Sequence, residues 1–145
     1  MSEPLYTRDI LRLAVSIPHQ QRLEHPDGSA EQRSRTCGSV VTADVVITDD
    51  ETLELLGLTI NACALGQASA AILGAEAIGR TVGDIVRARS GLADFFEGKA
   101  DFPGDWQNMD KLAVAKDHRG RHGAILLPYD ALIAAFADAA KRKAA

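Results

Sequence analysis

The sequence predicts an α+β fold, a small antiparallel sheet packed against several helices. Three observations carry it. β-Branched residues (Val40, Val41, Val45, Val46, Ile47) and a leucine-rich run (Leu53, Leu55, Leu56, Leu58, Ile60) flank Asp49-Asp50-Glu51, the pattern of two strands joined by a turn. Directly after this hairpin, residues 64–78 place Leu65, Ile72, Leu73 and Ile78 on one helical face among small residues. Further stretches with helical spacing follow to the C-terminus. With 145 residues the chain is expected to form one domain, 1–145, with a core of its own.

Composition excludes several function classes. The formal net charge is −4 and Lys and Arg form no concentrated patch, which argues against nucleic acid as a partner. No uninterrupted apolar run approaches the roughly 18–20 residues of a membrane span. Met1-Ser2-Glu3-Pro4 lacks a basic-then-apolar pattern, so no signal peptide is expected. Cys37 and Cys63, the chain's 2 cysteines, are accordingly expected as free thiols in the cytoplasm.

In chain order, Leu5, Ile10, Leu13, Ala14 and Ile17 give a first helix over residues 4–17, ended by Pro18. Residues 19–35 are polar and read as a long loop, with a turn at His25-Pro26-Asp27-Gly28-Ser29. Cys37-Gly38 opens the first strand, and residues 52–61 form the second. Because the two strands make an antiparallel hairpin, Cys37 and Cys63 fall at the same end of the sheet. Gly79 suits the end of the helix over 64–78, and Thr81 caps another over 82–89, broken at Ser90-Gly91. Short helical pieces follow at 92–96 and 106–114. His118 to Gly123 reads as a basic turn. Pro128 fits the first turn of a last helix, whose end carries Lys141-Arg142-Lys143.

The residues able to carry chemistry are Cys37, Cys63, and His118 or His122. Cys63 stands at a helix start, where unpaired amides and the dipole favour the thiolate, the form that binds metals or attacks electrophiles. Soft metal and iron–sulfur sites use thiolates and imidazole. Neither cysteine belongs to a C-x-x-C pair, so their spacing is not that of a zinc ribbon. There is no nucleophilic-serine pattern, phosphate loop or dinucleotide fingerprint, and no acid–base pair stands out.

From about His25 to Leu132 the chain resembles the NifU/IscU/SufU-type iron–sulfur cluster assembly scaffolds. Cys37-Gly38 is similar to the family's first Cys-Gly, and Cys63-Ala64-Leu65-Gly66-Gln67-Ala68-Ser69-Ala70 to its second motif. Ala77-Ile78-Gly79-Arg80-Thr81-Val82 is similar to the segment after that helix. The resemblance implies a three-stranded sheet, the third strand supplied by residues 32–36 or a split hairpin. It implies a scaffold, not an enzyme, that holds a transient iron–sulfur cluster or a zinc ion. Such a scaffold takes sulfur from a cysteine desulfurase and hands the cluster to acceptor proteins, with a homodimer possible. The family's third cysteine falls at Ala124 without a gap and at Gly123 with one inserted residue, and its Asp after Cys-Gly is Ser39 here. The implied ligand set is therefore Cys37, Cys63 and His122, with water, Asp44 or a partner's side chain as a fourth donor. Asp44, by strand alternation, points to the other face. Two alternatives stay open: an interaction module that has lost the metal site, and a sulfur acceptor using Cys63 as its thiol.

Overall fold

The computed structural model describes residues 5–145. The expected helix start at Pro4 and the reading of residues 1–4 lie outside them. Three antiparallel strands, β1 (Gly28–Arg33), β2 (Val40–Ile47) and β3 (Leu53–Asn61), lie side by side in that order. Helices α1 (Arg8–Ala14), α2 (Ala64–Glu76), α3 (Val82–Phe96) and α4 (His122–Ala144) surround them, with 3₁₀ turns at Met109–Ala115 and Arg119–Arg121.

The hairpin stands where the sequence put it. Val40 pairs with Asn61 and Val45 with Leu56, and a bulge at Val46/Ile47 leads into the tight turn. The third strand, β1, occupies part of what read as a long loop and overlaps the stretch 32–36 only at Gln32 and Arg33. Its sequence, GSAEQR, has little apolar alternation. It is held instead by the register Gly28↔Val45 to Arg33↔Val40 and by α4, which packs across β1 and β2.

Val41, Ala43, Val45, Leu56 and Leu58 are buried beneath the helices. Alternation sends Asp44 to the opposite face, where its carboxylate is wholly buried. There Asp44 accepts hydrogen bonds from Arg22 Nε (2.7 Å), Arg22 Nη2 (3.1 Å), the Leu23 amide (3.0 Å) and the hydroxyl of Ser29 (2.6 Å), its neighbour across the ladder. Its other ladder neighbour is Gly57, over which the Gln21 carbonyl passes so closely that a Cβ would overlap it. One carboxylate thus pins the segment before β1 across the back of the sheet. Burial opposes its ionisation, but the hydrogen bonds from Arg22, Ser29 and Leu23 and the Arg22 charge outweigh that and hold its pKa below the usual carboxylate value.

Helix α1 is shorter than its apolar spacing suggests. Thr7 caps it through the Ile10 amide (3.2 Å), and Ile10 and Ala14 are its buried residues. Thr81 caps α3 in a capping box with Asp84. This helix does not break at Ser90-Gly91 but runs on to Phe96. Gly91 faces open space, and burial of Leu92 and Phe95 carries the helix through. The small residues of α2 permit a close crossing of α4: a Cβ on Gly66 would sit 2.8 Å from Ala62 Cβ and 3.2 Å from the Ala124 carbonyl oxygen.

Helix α4 begins at His122, so Pro128 lies inside it rather than in its first turn. Pro128 has no amide to offer the Ala124 carbonyl. On the neighbouring residue, the Ile125 carbonyl accepts the buried Ser69 hydroxyl of α2 at 2.5 Å. By length and composition α4 could cross a membrane, although charged residues interrupt its apolar sequence. More than half of its most apolar window is buried within the protein, as in the core helix of a globular fold. Tyr129 on this helix is fully buried beside Trp106, and its hydroxyl has no hydrogen-bond partner among the described residues.

These contacts bear on stability. Asp44→Ala should lower the free energy of urea unfolding by about 1–3 kcal/mol, because it removes the shared acceptor of hydrogen bonds from Arg22, Leu23 and Ser29, whose donors are only partly buried. Arg22→Ala should cost only about 1 kcal/mol, since its side chain is 62% exposed and its partner's other hydrogen bonds remain. The folded Asp44 pKa is the depressed one, so its stabilisation is complete above the unfolded value of about 4 and is lost as pH falls through the folded value. Acid titration of Asp44→Asn should show a flatter loss of stability in that window; an unchanged slope would contradict this account. Tyr129→Phe removes an unpartnered buried hydroxyl and should be neutral or stabilising by up to about 1 kcal/mol in the same assay.

Candidate functional site

Three segments meet at the end of the sheet where Arg33, Val40 and Asn61 lie abreast. The first is the loop Ser34-Arg35-Thr36-Cys37-Gly38-Ser39, which closes the β1–β2 hairpin. It is folded by the Gly38 amide on the Ser34 carbonyl (3.1 Å) and the Ser34 amide on the Ser39 carbonyl (2.9 Å). Gly38 takes φ +72°, which a side chain would resist, so the Cys-Gly pair has a backbone reason. Cys37 sits in this loop, not within the strand as the sequence suggested.

The second segment is the start of α2. Cys63 is the N-cap residue, with extended backbone, and its side chain makes no capping hydrogen bond. Its carbonyl accepts the Gln67 amide at 2.9 Å. Cys63 is half-buried against the core, while Cys37 is exposed, and both are free thiols.

The third segment is the start of α4. A Cβ on Gly123 would lie 3.4 Å from Ser34 Oγ and 3.7 Å from Thr36 Oγ1, in ordinary contact with the loop that carries Cys37. Ala124 is fully buried, and its backbone abuts Gly66 of α2. Of the two sequence positions for the family's third cysteine, Gly123 is thus the one beside Cys37's loop.

Hydroxyl groups surround Cys37. As a thiol it donates to Ser34 Oγ (3.4 Å), and it lies 3.0 Å from Ser39 Oγ. Burial pushes the thiol pKa up, but hydrogen bonds from Ser34 and Ser39 to the thiolate and the nearby charge of Arg121 outweigh this and hold it below its ordinary value. Sequence reasoning assigned thiolate character to Cys63 through the helix dipole and overlooked these groups at Cys37. The available signal was the run of hydroxyl residues at 34, 36 and 39.

His122 stands apart from the arrangement expected of it. Its ring stacks on Phe96 (4.0 Å between centroids, 12° between planes), and its Nε2 donates to the Ala115 carbonyl at 2.7 Å. Among the described residues, no group of three His, Cys, Asp or Glu side chains is placed to hold a metal ion. The structure therefore brings the two thiols to one end of the sheet but does not assemble Cys37, Cys63 and His122 into a ligand set. Asp44, considered as a fourth donor, is committed to Arg22 on the back of the sheet. His118 lies just before the 3₁₀ turn, its amide on the Ala115 carbonyl. A groove of about 870 Å³ lies towards the opposite end, between Asp49-Asp50-Glu51, Thr81 and the last turns of α4.

The chain has the NifU-like fold. It superposes on the crystal structure of the N-terminal part of a nitrogen-fixing NifU-like protein from Brucella abortus with a TM-score of 0.88 and 27% identity, covering 94% of this chain and 95% of that one. A putative iron–sulfur cluster assembly scaffold protein for the SUF system, from thermophilic Fervidobacterium islandicum, gives a TM-score of 0.82 at 20% identity, covering 91% and 96%. A hypothetical protein of the same shape gives 0.77 at 18% identity, covering 92% and 97%. No family model and no curated protein matches the sequence. The NifU-like fold thus bears out the resemblance of the two cysteine motifs, and with it the implied third strand.

The hydroxyl cluster makes a reactivity prediction. Alkylation of Cys37 by iodoacetamide, read peptide by peptide, should rise with pH at a midpoint below the value of about 8.5 for a free cysteine. Ser39→Ala removes a donor to the thiolate and should move that midpoint upward. A midpoint unaffected by the substitution would refute the assigned role of Ser39.

Proposed function

We propose that this protein is an iron–sulfur cluster assembly scaffold. It holds a nascent cluster through the thiolates of Cys37 and Cys63, receives its sulfur from a cysteine desulfurase, and passes the cluster to acceptor proteins. The observation that carries the reading is the meeting of Cys37's loop, Cys63 at the cap of α2 and Gly123 at the start of α4 on a NifU-like fold. The similar structures described as a NifU-like protein and a cluster assembly scaffold support it.

The chemistry asks for thiolates, and the two available suit iron or zinc. The cluster is cargo, so retention and release both matter, and the exposure of Cys37 gives acceptors access. His122 is assigned to the fold rather than to the ligand set, because its ring packs on Phe96 and, among the described residues, no group of three His, Cys, Asp or Glu side chains is placed to hold a metal ion. A cytoplasmic, reducing setting would keep both thiols free. A second reading, sulfur acceptance as a persulfide, is favoured at Cys37 rather than Cys63 by exposure and the surrounding hydroxyls. There a desulfurase persulfide would hand its outer sulfur to the Cys37 thiolate and leave as a thiolate.

Anaerobic reconstitution with iron and sulfide tests the proposal. Wild type should gain visible absorption and bound iron, and Cys37→Ser and Cys63→Ser should each lose most of both. His122→Ala should keep the iron but lose about 1–2 kcal/mol of stability. Wild type binding no more iron or zinc than the doubly substituted Cys37→Ser/Cys63→Ser protein would end the scaffold reading. Persulfide on Cys37 without metal binding would favour the second.

A further inference from the structure

The groove at the end of the molecule away from the thiols takes no part in the chemistry of Cys37 and Cys63. Its floor is apolar, made by Ile47 of β2, Val82 at the start of α3, and Ile133, Phe136, Ala137 and Ala140 of α4. Ile133, Ala137 and Ala140 recur at i, i+4 and i+7, so they form one row along α4, and both alanines are exposed. The outward face of a surface helix ordinarily carries polar side chains. Val82 is 39% exposed, and Val86, one turn further along α3, is 41% exposed.

One rim of the groove is acidic, lined by Asp27 and the turn Asp49-Asp50-Glu51. Asp27 accepts the Ile47 amide at 2.8 Å. The three carboxylates of the turn are exposed side by side. Among the described residues, the ion pairs of this chain leave all three out. Arg142, which also lines the groove, is paired with Asp138 at 2.9 Å instead.

We propose that this groove docks an amphipathic helix of a partner protein, its apolar face on α4 and a flank of Lys or Arg against Asp49-Asp50-Glu51. Docking there is independent of what the thiols do. The row on α4 has helical periodicity and small side chains, which let a second helix come to the roughly 8–10 Å of ordinary helix packing. The opposite wall offers no ladder to an extended peptide. Its Thr48 amide is on the Thr52 carbonyl (2.9 Å), its Leu53 amide on the Arg80 carbonyl (2.8 Å), and the Gly79 amide on the Leu53 carbonyl (2.8 Å). Strand addition needs unpaired edge groups. The carboxylates set the charge of the occupant: cations opposite them are attracted, while an acidic helix or an anionic lipid surface is repelled. A partner seated here leaves Cys37 and Cys63 uncovered, so the protein can be held by one partner while another reaches the thiols.

The test uses the full-length protein and a fluorescein-labelled helical peptide of about 18 residues, with Leu at i, i+3, i+4 and i+7 and Lys along one flank. Fluorescence anisotropy should show saturable binding in the micromolar range, with amide NMR shifts centred on Ile47, Val82 and Ala137. Replacing the peptide's Lys by Glu should weaken binding at least about 10-fold at low salt, and Asp49→Lys/Asp50→Lys in the protein should do the same. Ala137→Arg puts a long cationic side chain into the groove and should also weaken binding at least about 10-fold. Circular dichroism and alkylation of Cys37 should be unchanged in both variants, which separates lost docking from lost folding. Absence of binding, equal binding of the Glu peptide or of one with its Leu positions scrambled, or shifts centred elsewhere would overturn the proposal. So would oleate occupying the groove in place of the peptide, or a second copy occupying it, seen as dimerisation that Ala137→Arg abolishes. None of these outcomes touches the scaffold reading, since Cys37 and Cys63 are intact throughout.

Discussion

The structure depends on β2 being paired along both edges. Its ladder with β1 and its ladder with β3 are in register at Val40, so the loop before β2 and the segment after β3 emerge together. That single constraint brings Cys37 beside the start of α2 although 25 residues separate it from Cys63. It also fixes the two faces of the sheet. Val41, Ala43 and Val45 form the floor of the core, and Asp44 must point the other way. A slip of one residue would exchange these faces, exposing three buried apolar side chains and pressing a carboxylate into the core.

Against that sheet, α4 is placed by contact with α2. Small residues let the two helices approach at Gly66 and Ala124, and Ser69 satisfies the Ile125 carbonyl. The start of α4 is thereby carried to the loop of Cys37. The Ala-Ser content of the helix after Cys63 is a packing requirement first, with its relevance to the thiols following from where it puts its neighbour.

Much of this was legible in the sequence, and the failures have physical causes. The hairpin was readable because β-branched and leucine-rich runs and the acidic turn between them agree locally. β1 was not, because GSAEQR carries no such pattern and is strand only through its partners, α4 and the Ser29–Asp44 hydrogen bond. The break assigned at Ser90-Gly91 followed local propensity, which burial of Leu92 and Phe95 overrode. Cys37 and Cys63 lie at one end of the sheet, as the hairpin reading expected. The disposition of His122 was not readable, since Phe96 and the Ala115 carbonyl reach it only through the fold. The hydroxyls around Cys37 were in plain view but matter only once the loop folds them inward.

Pro128 sets a boundary within α4. The turn preceding it, from His122 to Leu127, lacks one backbone hydrogen bond that the later turns retain, and it is the turn nearest the thiols. Local opening free energies in a protein need not be uniform, yet this stretch is held by burial of Ala124, Ile125 and Leu127 and by the Ser69 hydroxyl on the Ile125 carbonyl. The turn nearest the thiols is thus kept in place by packing and a side-chain hydrogen bond rather than by an unbroken backbone ladder.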